Sequence, residues 1–183
     1  MTEGKGNLND REFELIAELM KNSRRSDREL AKAIGTSQPT VSRMIKKLEG
    51  QGIIKEYTMI PDFSKLGYKI MAITFGLSRA LDKETAERTR KALTDSVKDK
   101  HFEFMMLERG RGLGYNGVII SLHEDYTSYL DVLKWLRQLD FLDVRQIDSF
   151  IICLDDEVRY RPLTVSILAR LLRRKRRKVL THE

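Results

Sequence analysis

The residues whose types and spacing could do chemistry lie between Ser26 and Gln51. Gln38, Thr40, Ser42 and Arg43 fall on adjoining turns of one segment, and these side-chain types hydrogen-bond base edges in the major groove of DNA. Lys46 and Lys47 follow them, while Arg24, Arg25 and Arg28 come before, as cations suited to phosphates. The chemistry implied is non-covalent recognition of double-stranded DNA. No Asp, Ser or Cys stands at a spacing from His101 or His123 that would make a nucleophile and its base, so the chain reads as no enzyme and needs no cofactor.

The elements that must position these residues are two short helices and a tight turn. Ser26 followed by Glu29 is a capping-box start, Leu30, Ala31 and Ile34 supply a buried side, and Gly35 supplies the left-handed stop. Ser37 offers a new cap, Pro39 is tolerated in the first turn, and Val41, Met44, Ile45 and Leu48 recur at helical spacing. At about 100° per residue, Pro39, Ser42, Arg43 and Lys46 point away from that stripe, with Gln38, Thr40 and Lys47 on its flanks. An ordinary helical hairpin with a solvated charged face is the plain alternative. Against it, Ala31, Gly35, Val41 and the apolar stripe fall where a helix-turn-helix needs them. A first helix from Asn9 or Asp10 to about Asn22 would back the pair, with Phe13, Ile16, Ala17 and Met20 on one face and Leu8, Leu15 and Leu19 alongside. IIKEYTMI, after Gly52, reads as a strand leaving the unit as a short wing or linker.

Composition bounds the rest. A chain of 183 residues holds one large domain or two small ones, and two is the reading preferred. The formal charge of +7 is uneven: residues 1–66 hold 12 Lys or Arg against 10 Asp or Glu, residues 67–155 hold 13 against 14, and residues 156–183 hold 9 against 3. Bulk basicity therefore says little about the first domain; placement carries the argument. Lone Cys153 rules out an internal disulfide, and three scattered histidines make no metal site. No apolar run reaches the roughly 20 residues of a membrane span and MTEGKGNLND lacks a signal-peptide core, so the expectation is a cytoplasmic protein with no membrane partner.

The run LNDREFELIAELMKNSRRSDRELAKAIGTSQPTVSRMIKKLEGQGIIKEYTMIPDFSKLGY resembles the N-terminal half of the Lrp/AsnC (leucine-responsive/asparagine-regulator) family of bacterial and archaeal transcription regulators. The opening LND, SDRELAKAIG, TVSR, and KLEGQGII followed by Tyr, Pro and Leu-Gly-Tyr carry the likeness. The resemblance implies a second domain of βαββαβ type that makes dimers and often binds small effectors.

The second half, read by itself, agrees. Tyr68 to Leu77 reads as a buried strand, Asp82 caps a helix to about Val97 (Ala86, Thr89, Ala92, Leu93 and Val97 apolar), and His101 to Glu108 reads as a strand. RGRGLGYNG is a Gly-rich turn before a strand from Val118 to Leu122. Then come a helix from Glu124 and Asp125 to about Leu139, with Tyr129, Leu130, Leu133, Trp135 and Leu136 apolar, and a strand from Val144 to Leu154. The fold class is α+β: a winged-helix-like helix-turn-helix domain (8–60), a linker (61–67), a ferredoxin-like βαββαβ dimerisation and effector domain (68–155), and a basic C-terminal helix (156–183). An antiparallel sheet covered on one face has another to hide, hence the expectation of a homodimer or higher even oligomer.

Gly112, Gly114 and Gly117 spell G-x-G-x-x-G, but VIISL, a strand, follows, so the dinucleotide reading fails. In the resembling family this turn carries Gly-Asp and then aromatic-Asp, near the effector pocket. Here Gly114, Tyr115, Asn116 and Gly117 keep the aromatic and replace both acids, which puts amino-acid sensing in doubt. An effector of different charge, with Arg109 and Arg111 as anion partners, and no effector at all both stay open. Siroheme decarboxylases share the two-domain layout and are the enzymatic alternative. They add histidines and a YN-aromatic run, where this chain has Tyr115, Asn116, Gly117 and Val118. In the C-terminal segment Val165, Leu168, Leu171 and Leu172 share a helical face ahead of Arg173, Arg174, Lys175, Arg176, Arg177 and Lys178. A basic arm on phosphates, a membrane-surface helix and a solvated tail compete there, with the arm preferred.

Overall fold

A computed structural model describes residues 8–78, 83–100, 102–139, 145–158, 160 and 163–172. The chain divides into two compact units, Met1–Ile60 with Tyr160–Glu183, and Pro61–Arg159.

The first unit is built on three helices, α1 (Asp10–Lys21), α2 (Asp27–Ile34) and α3 (Gln38–Gly50). Each begins on a side chain able to satisfy an orphan amide. Asn9 and Ser26 each close a capping box with the glutamate three residues on, and Ser37 Oγ accepts from the Thr40 N–H at 3.4 Å. Gly35 ends α2 at φ +66°, where a Cβ is penalised. Leu15, Leu19, Leu30, Ala31, Ile34, Val41 and Leu48 close into one core.

Two expectations change here. Helix α1 buries Leu15, Ala17 and Leu19 together with Glu12 and Glu18, leaving Phe13, Ile16 and Met20 half-buried. The inward face carries two carboxylates, which is why apolar periodicity alone misplaced it. Residues 53–60 form no strand: Tyr57, Met59 and Ile60 are exposed, and among the described residues no neighbour supplies a ladder. They run as an irregular connection.

The second unit runs β1 (Ile70–Leu77), α4 (Lys83–Lys100), β2 (Glu103–Gly112), β3 (Tyr115–His123), α5 (Tyr126–Arg137), β4 (Gln146–Cys153). This is the expected βαββαβ order. The sheet order is β2-β3-β1-β4 with all neighbours antiparallel. Helix α5 covers one face, Tyr129 lying on Ile70 and Ala72, while Val132, Trp135, Leu136 and Leu139 meet Phe102, Phe104, Leu107, Ile119 and Ile147. Val132 had not been read as part of that side; Leu130 and Leu133 sit half-buried at its edge. Cross-strand pairing puts Ile73 beside Ile120 and Phe150, and Met106 beside Ile120, all on the opposite face, where Phe150 is 65% exposed.

The hairpin is tighter than its glycines suggested. Most of RGRGLGYNG is strand, and the turn is only Leu113 and Gly114, at φ +53° and +84°. Positive φ at both positions matches a two-residue turn of type I′, whose twist suits the flanking strands.

Asp82, His101, Val144, the basic run Arg173–Lys178 and the side chains of Thr89, Ala92, Leu93 and Val97 lie outside the described residues. In the C-terminal segment Val165, Leu168 and Leu171 are exposed and the buried residue is Ala169. Among the described residues no helix is long and apolar enough to cross a membrane, and no three His, Cys, Asp or Glu group as metal ligands.

Candidate nucleic-acid interface

Packing decides which side of α3 faces outward. Val41 and Leu48 are fully buried, each worth about 1.5 to 3 kcal/mol, and Met44 and Ile45 pack beside them. With that side committed, Gln38, Pro39, Arg43 and Lys46 are exposed and Thr40 and Ser42 half-buried. Thr40 Oγ1 lies 2.8 Å from Ser37 Oγ, so it shares in the cap. Arg24, Arg28, Arg43 and Lys46 are exposed and enter no ion pair among the described residues.

Three of the side chains expected on DNA bond to carboxylates within the unit. Ser42 Oγ donates to the Asp27 carboxylate at the start of α2. Lys47 Nζ sits 2.6 Å from Glu12, whose side chain is only 2% exposed. Arg25 pairs with Glu18, which also holds Lys21 Nζ at 2.5 Å. A buried carboxylate without a counter-charge is costly, so these cations fasten α3 and the α1–α2 connection to α1. Burial pushes the Glu12 carboxyl up, but the Lys47 ammonium and the Asn9 amide hold it below the usual carboxylate range.

The irregular connection after α3 is also tied down. Tyr57 donates its hydroxyl to Glu49 of α3 at 3.1 Å, and burial together with that carboxylate pushes the phenol up to about 12. Ser23 Oγ lies 3.5 Å from the Thr58 carbonyl. Asp27, Glu12, Glu18, Glu49 and Tyr57 were not legible as parts of this surface. The only hint was the pair of glutamates inside the apolar repeat of α1.

At the other candidate site, Arg109, Arg111 and Gly112 end β2, Gly114 makes the turn, and Tyr115 and Asn116 open β3. Asn116 is occupied structurally: its Oδ1 accepts from the Ser78 N–H at 3.0 Å and its Nδ2 donates to the Ser78 carbonyl at 2.8 Å. Tyr115 stacks on Phe75 at 5.7 Å, donates to Asp148 and accepts from Gln146 Nε2 at 2.7 Å. A carboxylate absent from the turn thus arrives from β4. Hydrogen bonds from Tyr115 and Gln146 hold the Asp148 carboxyl below its ordinary range. His123 is 4% exposed, with Nε2 2.8 Å from Ser121 Oγ and its ring edge-on to Tyr129.

A capped helix with a polar, cationic outer ridge, set behind a short turn in a three-helix unit, defines a DNA-binding transcription regulator of the helix-turn-helix class. Residues 8–55 match the family model of winged helix-turn-helix DNA-binding domains. Over 142 residues the chain is 35% identical to an uncharacterized HTH-type transcriptional regulator of Pyrococcus furiosus, spanning 75% of this chain and 90% of that one. It is 39% identical over 77 residues to the HTH-type regulator LrpC of Bacillus subtilis, 42% of this chain and 54% of LrpC. The LrpC structure superposes at a TM-score of 0.61 with 25% identity, covering 84% and 99% of the two chains. A Neisseria meningitidis transcriptional regulator in complex with L-Met shares the fold, at a TM-score of 0.67 and 19% identity over 87% and 95% of the chains. The chain belongs to the Lrp/AsnC family of transcription regulators.

Proposed function

We propose that α3 is the reading helix, lying in the major groove with Gln38, Thr40, Ser42 and Arg43 toward base edges and Arg24, Arg28 and Lys46 toward phosphates. One observation carries this: α3 buries Val41 and Leu48 and leaves an outward ridge of Gln38, Arg43 and Lys46 whose polar groups nothing among the described residues occupies. Lys47 and Arg25 support the reader from within, while Ser42 bonds inward to Asp27 and keeps its oxygen lone pairs for the groove. The cations of Arg173–Lys178 add sequence-independent phosphate attraction.

The apolar sheet face of Ile73, Phe75, Ile120 and Phe150 pairs with its copy in a two-fold dimer. Two reading helices then stand about 34 Å apart, and the operator is a pseudo-palindrome with half-sites one helical turn apart. For an effector at the β2–β3 hairpin, the groups on offer are the Arg109 and Arg111 guanidiniums and the Tyr115–Gln146–Asp148 cluster. Titrating L-Met and a small organic anion separately into the protein–DNA complex distinguishes an ammonium held by Asp148, an anion held by the arginines, and no effector.

The direct test is a gel-shift titration of Arg43→Ala on a duplex selected by the wild type. Specific binding weakens by about 1 to 3 kcal/mol and one base position relaxes. Unchanged affinity and footprint would remove Arg43 from the reading surface.

A further inference from the structure

Ser42 half-faces the groove side of α3, yet its hydroxyl proton is already directed at Asp27. A serine hydroxyl has one proton and two lone pairs, and in general can either donate to a base or accept from one. A carboxylate only accepts, so the Ser42–Asp27 bond has one possible polarity: Ser42 donates inward. What remains for the groove is oxygen lone pairs alone.

We propose that Asp27 is a positioning residue that converts Ser42 from an ambivalent reader into an acceptor-only one. In the major groove the hydrogen-bond donors are the exocyclic amines of adenine and cytosine, whereas guanine O6 and thymine O4 are acceptors. Ser42 therefore selects adenine or cytosine on the strand it faces and is repelled by guanine and thymine. The Asp27 charge behind it acts in the same sense, because it favours a partial positive charge in front of the oxygen and disfavours a carbonyl there. Asp27 is the first residue of α2 and lies 15 positions before Ser42, so the two helices of the motif read this base together. The inference rests on α3 being the reading helix and adds the chemistry of one position to it.

The experiment uses the full-length protein and a randomised duplex library, followed by affinities for the enriched duplex and all its single-base variants. The wild type shows one position per half-site where adenine or cytosine is favoured over guanine or thymine by about tenfold. In Asp27→Ala the freed Ser42 hydroxyl can rotate to donate, and discrimination at that position falls to about twofold or less while other positions keep theirs. Ser42→Ala loses discrimination at the same position. These readouts are ratios within one variant, so a partly unfolded preparation leaves them intact. A wild type that enriches a sequence whose base preferences survive Asp27→Ala unchanged, with affinity lowered evenly, would overturn the inference alone. A wild type that enriches no sequence would overturn the reading-helix assignment and the inference with it.

Discussion

Lys47 and Glu12 show how a residue can look like a ligand group and serve as a fastener. Glu12 is buried, Lys47 is half-exposed, and their contact joins α3 to α1. Because water reaches the ammonium, the pair adds less than the burial of Leu48 nearby; its removal is felt mainly through the carboxylate left behind. Lys47→Met is expected to lower unfolding free energy by about 1 to 3 kcal/mol, and adding Glu12→Gln, which removes the charge but keeps an acceptor for the Asn9 N–H, to recover part of it. Denaturant titrations that show no loss in the single variant would exclude the fastening role. His123 gives a second test at this scale. Burial depresses its proton affinity below 6.5, with Asp125 opposing weakly, so the unfolded chain binds the proton more tightly than the folded one. Stability is therefore present above about pH 6.5 and declines as pH falls through the unfolded value toward the lower folded one. Melting temperatures between pH 7 and 5 should fall less steeply in His123→Gln than in the wild type; parallel curves would contradict this.

Among the elements, the β2–β3 hairpin carries the most local conflict. Leu113 takes positive φ with 82% of its surface exposed, a conformation an L-residue with a bulky side chain adopts only at a cost. Asn-Gly is the preferred pair for such a turn, so Leu113→Asn should raise stability by about 0.5 to 1 kcal/mol. Calorimetry showing destabilisation would mean that the exposed leucine has a partner in the assembled protein. Helix α5 shows the opposite case, where local and global preferences agree: Asp125 closes a capping box with Ser128, and the helix then buries Tyr129, Val132, Trp135 and Leu136. Its cap and most of its apolar side were readable because both follow from spacing within one helix.

For the whole molecule, the proposed dimer rests on the sheet face turned away from α5. Phe150 lies mid-way along the edge strand β4, paired with Ile73 of β1, and a charge there would have to be buried in a sheet-to-sheet pair. Phe150→Glu is expected to sediment as a monomer and to bind a two-half-site duplex about 100-fold more weakly, with single half-site affinity unchanged, since only the linkage of the two heads is lost. A variant that stays dimeric would place the self-contact elsewhere.

The sequence by itself determined the helix starts at Ser26 and Ser37, narrowed the first to Asn9 or Asp10, and determined the stop at Gly35, the inward stripe of α3 and the βαββαβ order. Each of these depends on hydrogen bonds or periodicity among residues a few positions apart. Only the tertiary structure decided which polar residues are spent inside. Lys47 meets Glu12 across 35 positions, Tyr115 meets Asp148 across 33, and His123 disappears beneath α5. Residues 53–60 alternate loosely but pair with no strand among the described residues, which their own spacing could not show. Local spacing states what a side chain can do, but its partner is chosen by elements that packing brings together from far along the chain.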